Sequence, residues 1–360
     1  MDAPSATKVQ DEKAEQPVKR PRDSEGYQHQ VQSPKRARLT RENLRLLNKM
    51  TRSGSGVSPT ASTTTNGFKA QAAKNGILDP ISSKPYENLR DSVERLNQSR
   101  ETASPPESVY QDYLDMVGSV PNALSLMIEM TPLLKEYKDR GYSRAFGQRF
   151  TAYPKNVGFN NDMSAPQPDF VQGLRQQEFR PLPITDELDS AILFEDDRHS
   201  LALPHIAGEW TERGKNMEEE SAYAEAALVH SRNEALAYIG EPDPPGHAAV
   251  TTFTTDGTTL NFFGHFAAES DGQLEYHQYP ISTVNLKGSY EDFKRGRRQL
   301  RNAQDYAREQ SYQLRDRLKE HWKARPAQTS GSILLTVDPR VLVAESIQHG
   351  EEATENTTSH

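Results

Sequence analysis

The chain has 360 residues, 34% of them hydrophobic, a formal net charge of -8 and a mean hydropathy of -0.84, so part of it lacks the apolar surface to offset its ordering entropy. There is no cysteine, which excludes disulfides, thiol nucleophiles and cysteine-bound zinc. No apolar run approaches the roughly 20 residues of a membrane span, and Met1-Asp2-Ala3-Pro4-Ser5 has no apolar secretory core; the expectation is a soluble protein with no membrane partner.

Residues 1–60 carry 12 Lys/Arg against 7 Asp/Glu, a net of +5, leaving -13 for the remainder. An acidic body with a basic arm argues against nucleic acid coating the whole protein. Residues 1–85 read as a disordered basic tail and a Ser/Thr-rich linker. Within the tail, Lys19, Arg20 and Arg22 form one basic cluster and Lys35, Arg36 and Arg38 a second. With a polar spacer between them they resemble a bipartite nuclear localisation signal, whose cations lie in two acidic grooves of an import receptor. A nuclear protein with an import receptor as partner follows; a solvated tail, or one brushing nucleic-acid phosphates, is the alternative. Residues 40–49 have weak helical spacing, and Gly54-Ser55-Gly56 is no phosphate loop, since no strand precedes it and no Lys-Ser/Thr follows.

Folded sequence is expected from about Tyr86 to residue 325, with a mostly disordered acidic tail over 326–360. A helix is predicted over 87–96. A second should start at Ser104-Pro105-Pro106-Glu107, with Ser104 as cap and the prolines in the first turn. A third is predicted over 122–134. Residues 146–157 and 168–174 are short, aromatic or β-branched, and bounded by Pro, Gly and Asn, as strands are. Residues 201–210 form another candidate strand, broken by Pro204 and Gly208. The clearest long helix is 218–239, ended by Gly240 and Pro242. Three strands over 247–254, 260–267 and 274–280, joined by Asp256-Gly257 and Ser270-Asp271-Gly272, predict an antiparallel meander. A final helix over 290–322 places Phe293, Leu300, Ala307 and Leu314 seven apart, a core-facing stripe.

This order predicts a mixed sheet with helices packed on it. Asp169 on one strand and Glu209 on the next are then a pair of carboxylates ahead of a helix, able to share a Mg²⁺ ion that keeps several waters. The bland readings are a Pro-Asp turn and a solvent-facing or Arg-paired Glu.

The pattern resembles the PD-(D/E)XK nuclease superfamily. More closely, PQPDFVQGL (166–174), LPHIAGEWT (203–211), EEESAYAEAALVHSRNEAL (218–236) and HAAVTTFTTDGTTLNFF (247–263) resemble an uncharacterised fungal family within it. The resemblance implies a restriction-endonuclease-like α/β fold, with Asp169 and Glu209 as metal ligands and catalytic residues. The superfamily places a water-activating Lys two residues after the acidic ligand. Here that position is Thr211, which carries no charge to stabilise a developing oxyanion. Lys215 could reach back from the following turn and complete a catalytic set, with Arg213 a weaker substitute. Glu219 and Glu220 could assist a metal, but acidic residues in a first turn also complement the helix dipole.

No His-x-x-x-His pair, Gly-x-Ser-x-Gly elbow or dinucleotide fingerprint is present. Residues 287–325 carry 12 Lys/Arg against 6 Asp/Glu. Lys294, Arg295, Arg297, Arg298 and Arg301 there, with Tyr290, Tyr306 and Tyr312 interleaved, are candidate phosphate contacts; a solvated face paired with the acidic body is the alternative. The expectation is a nuclear protein whose nuclease-like domain has lost cleavage and binds nucleic acid. The alternatives are a Mg²⁺-dependent nuclease using Asp169, Glu209 and Lys215, and a protein-interaction domain with no metal site.

Overall fold

The computed structural model describes residues 67–195, 197–212 and 218–325, with the backbone alone at 218–220; all fall within the compact unit Ser55–His360. The two basic clusters expected to act in nuclear import, the 40–49 segment, Arg213, Lys215 and the 326–360 tail lie outside these residues.

Helices α1 (Phe68–Lys74), α2 (Leu89–Asn97), α3 (Glu107–Ser119) and α4 (Ala123–Met130) precede strands β1 (Tyr142–Phe146), β2 (Phe170–Arg175) and β3 (Leu201–Trp210), with a one-turn α5 (Ile184–Glu187) before β3. Helix α6 (Glu218–Ile239) follows, then β4 (Val250–Thr255), β5 (Thr259–Ser270), β6 (Gln273–Asn285) and the long α7 (Tyr290–Ala324). The strands form one six-stranded sheet in sequence order. Every neighbouring pair is antiparallel except β3 and β4, which run parallel with α6 as their crossover. The predicted 247–280 meander is therefore observed as β4–β5–β6.

Strand alternation separates two cores. Phe170, Ile206, Trp210, Phe253 and Leu260 point to one face, where α3, α4 and the first half of α7 bury Tyr113, Leu126, Phe293 and Leu300. Val171, Ala207 and Val250 point to the other, where α6 buries Ala222, Tyr223, Ala226 and Ala227. The α7 stripe packs as its seven-residue spacing predicts, with Phe293, Leu300, Ala307 and Leu314 all buried. Each large side chain in it contributes about 1.5–3 kcal/mol. Ser289 caps this helix by accepting from the Asp292 backbone N–H at 3.1 Å.

Helix α6 is buried nearly all round, the condition that suits its many alanines. Its outer side is covered by Phe150, Tyr153, Phe159, Met163, Leu193 and Phe194. That covering corrects the predicted strand over 146–157: β1 ends at Phe146, and the aromatic residues beyond it pack on α6 rather than pair in the sheet. Strand β3 is unbroken, also against expectation. Pro204 sits beside the bulge between Gln172 and Leu174, where a Cβ on Gly173 would come 2.8 Å from the Pro204 Cβ. Gly208 makes room for the Phe253 ring, 2.2 Å from where its Cβ would be. Ser104 does not cap α3; Pro106 occupies the cap position.

Ordered structure also begins earlier than Tyr86. Phe68 of α1 sets its ring edge-on to Tyr223 at 5.7 Å. Ile77 then bridges in parallel to Tyr276, covering part of the edge strand β6.

Candidate metal centre

The β2–β3 register pairs Phe170 with Gly208, so Asp169 stands opposite Glu209 one step further along. Both side chains share the sheet face of Val171 and Ala207, the α6 face, at the end of the sheet from which the chain enters α6. Each carboxylate is held by the other strand's backbone. The Trp210 N–H donates to Asp169 Oδ2 at 2.8 Å, and the Asp169 N–H donates to Glu209 Oε2 at 3.2 Å. Glu209 is buried and Asp169 half-buried. Burial pushes the Asp169 carboxyl above its usual range, against the lowering effect of the hydrogen bonds from Trp210 and with Glu209.

Two crowded, desolvated carboxylates are a hard-oxygen donor set that fits Mg²⁺ or Mn²⁺. Among the described residues no three His, Asp or Glu side chains form a metal-binding group; a cation placed here would have Asp169 and Glu209 as its described donors, with waters completing the shell. Thr211, the expected lysine position, is buried; its N–H donates to Thr255 O at 2.9 Å and its hydroxyl to Glu212 O at 3.2 Å. The side chains of Glu219 and Glu220 lie outside the description.

The sheet extends this pair into a polar row that sequence reasoning did not find. Glu209 is in register with Thr254, Thr254 with Asn261, and Asn261 with Thr283. Asn261 Nδ2 donates to Thr254 Oγ1 at 3.3 Å, and Thr283 Oγ1 donates to Asn261 Oδ1 at 2.9 Å. The row runs from buried at Glu209 and Thr254 to exposed at Thr283. Each of these strands carries several polar residues, so nothing in the sequence singles out these three.

Deeper along α6, buried Glu225 accepts from the hydroxyls of Ser221 and Thr252 and lies 2.6 Å from His265 Nδ1. A second buried group joins three elements. Arg232 makes a two-pronged pair with Asp243, at 2.6 and 2.9 Å, and its third nitrogen meets His205 Nε2 at 2.8 Å. That leaves His205 Nδ1 to donate to Ser311 Oγ on α7 at 3.0 Å. Burial, then the Arg232 charge, pushes His205 well below the usual imidazole range, so it is neutral. Half-buried His230 lies 3.2 Å from Glu234 and 3.2 Å from the Tyr276 hydroxyl.

The basic residues of α7 lie on the opposite face of the sheet from Asp169 and Glu209. Lys294 pairs with Glu291 at 2.6 Å and Arg295 with Asp292 at 2.7 Å. The interleaved tyrosines are engaged inside the fold: Tyr290 donates to Pro105 O, Arg95 covers the Tyr306 ring at 3.9 Å, and Tyr312 donates to Asp139.

No protein-family model, curated protein sequence or solved structure matches the chain.

Proposed function

We propose that residues 67–325 are a PD-(D/E)XK nuclease-like domain that holds one Mg²⁺ ion between Asp169 and Glu209 and binds nucleic acid in the nucleus without cutting it. The observation that carries the reading is the reciprocal pairing of these carboxylates, each tied to the neighbouring strand's backbone. The topology supports it: α4 leads into the antiparallel β1, β2 and β3, α6 follows, and β4 returns parallel to β3, a mixed sheet with helices packed on it. When bound, the cation would supply Lewis-acid stabilisation and a water of lowered pKa. The chain contributes the two oxygen donors and, at Thr211, no charge for a developing oxyanion. That absence favours binding over cleavage. Nuclear placement rests on the two basic clusters of residues 19–38.

The test is a nuclease assay of the full chain on single- and double-stranded DNA and on RNA, in Mg²⁺ or Mn²⁺, beside Asp169→Ala, Glu209→Ala and Lys215→Ala. The expected result is no metal-dependent cleavage by any of them, with cation binding lost in the first two variants. Cleavage by the wild type that all three substitutions abolish would establish an active nuclease using Lys215. A wild type that binds no divalent cation would leave the protein-interaction reading. An unchanged nuclear signal after deletion of residues 19–38 in a fluorescent fusion would overturn the import reading.

A further inference from the structure

A recessed cleft of about 350 Å³ lies between the first turns of α7 and the 99–105 segment that links α2 to α3. Arg100, Lys294, Arg295, Arg297, Arg298 and Arg301 line it, against the single carboxylate of Glu291. Three hydroxyl side chains, Ser99, Thr102 and Ser104, form the facing wall.

Part of this charge is met internally. Besides the Lys294 and Arg295 pairs, Arg100 reaches Asp305 at 2.7 Å, and Arg301 Nε donates to Leu133 O at 3.2 Å. Arg297 and Arg298 have no carboxylate at ion-pair distance among the described residues, and the buried Nε atoms of Arg298 and Arg100 have no acceptor. Burial and neighbouring guanidinium groups push Arg297 and Arg301 below their usual range. A chain with net charge -8 has carboxylates to spare, yet it leaves these cations crowded together and half-buried. Crowding of like charge costs folding free energy, and an anion carrying several oxygens on adjacent centres relieves it.

We propose that this cleft binds adjacent phosphates of a single-stranded nucleic-acid backbone. Arginine forks match phosphate oxygens two at a time, and the hydroxyl wall adds neutral donors. A recess of this size takes a short stretch of flexible backbone, which a strand can bend into and a duplex cannot. Tyr290 and Tyr306 are committed within the fold, so the cleft offers phosphate contacts without a stacking platform, and binding is independent of base sequence. The choice of nucleic acid rests on the nuclease-like reading above; the phosphate chemistry stands without it.

The test measures anisotropy of a labelled oligothymidylate with the full chain in EDTA, which removes divalent cations from the comparison. Wild type is compared with Arg297→Ala/Arg298→Ala and with Arg297→Lys/Arg298→Lys, each checked for folding by thermal unfolding. The alanine pair should weaken binding at least about tenfold at low salt and flatten the log-log salt dependence by about 1.4, two contacts at about 0.7 each. The lysine pair should keep the salt slope but recover only part of the affinity, since an ammonium lacks the guanidinium fork, and tripolyphosphate should compete. Unchanged affinity and slope in the alanine pair would overturn the proposal. So would tripolyphosphate binding at the cleft with oligonucleotide affinity indifferent to both arginines, which would make the ligand a small polyphosphate. A wild type that fails to bind Mg²⁺ but passes this test would remove the metal centre and leave the cleft.

Discussion

Replacing Arg232 with methionine keeps the stem's bulk and removes the charge that ties α6 to β3 and to the segment after α6. The Arg232 side chain is 7% exposed and its partner Asp243 19%. Removing one partner of a buried ion pair costs about 3–5 kcal/mol. Asp243 regains some water, which places this loss near 3 kcal/mol. The His205 Nε2 atom loses its donor inside the core, and an unsatisfied buried acceptor costs about 1–3 kcal/mol more. Members of one network do not add fully, so the expected total is about 4 kcal/mol, a large share of the roughly 5–15 kcal/mol that holds a domain together. At about 2–4 °C per kcal/mol for a domain of this size, Tm should fall by about 8–16 °C. Urea unfolding followed by circular dichroism measures the loss, and a cycle with Asp243→Asn should give a coupling of at least about 1.5 kcal/mol. A variant within about 1 kcal/mol of wild type, or strictly additive single effects, would refute the assignment of this pair as a tie between elements.

Burial holds His205, His230, His247 and His277 below their usual range. Between those lowered values and about pH 6.5 the unfolded chain binds more protons than the folded one, so stability should fall as pH drops below about 6.5. His205 alone contributes a slope of up to about 1.4 kcal/mol per pH unit; a flat stability profile from pH 7 to 5 would contradict its buried neutral state. Gly208→Ala should drive a methyl into the Phe253 ring, whose Cζ lies 2.2 Å from the new atom's position, and cost about 1–3 kcal/mol or more by overpacking. Unchanged urea stability would mean that ring can move freely.

Elements with strong local signals were legible in the sequence. The α7 stripe, the two Gly-containing hairpins and the bounds of α6 all follow from residue spacing and turn chemistry. Residues 146–157 carry the same aromatic signature as a strand, but whether aromatics pair in a sheet or cover a helix depends on α6, which lies some sixty residues further along the chain. Helix α1 is too short to be stable alone and owes its place to Tyr223 and Tyr276, distant partners no local pattern reveals. At the candidate site, the sequence pairs Asp169 with Glu209 as carboxylates on neighbouring strands. Their reciprocal backbone bonds, and the row through Thr254, Asn261 and Thr283, depend on registers across five strands. In the basic cleft, spacing along α7 found five of the cations but not Arg100, which arrives from another element. Spacing also could not separate Arg297 and Arg298 from Lys294 and Arg295, which carboxylates one turn back neutralise.

The most direct test of the metal centre is the cation dependence of unfolding. Asp169's carboxyl is held up by burial, so the cation-free domain bears an increasing penalty as pH rises and that group ionises, and a bound cation offsets it. Calorimetric titration should give one Mg²⁺ or Mn²⁺ per chain. At a free concentration about a hundredfold above Kd the domain should gain about 2.7 kcal/mol. Tm should rise by about 5–11 °C at pH 7.5, by less at pH 5, and not at all in Asp169→Asn/Glu209→Gln. No cation-dependent shift in the wild type, or the same shift in that double variant, would contradict a metal centre built from these two carboxylates.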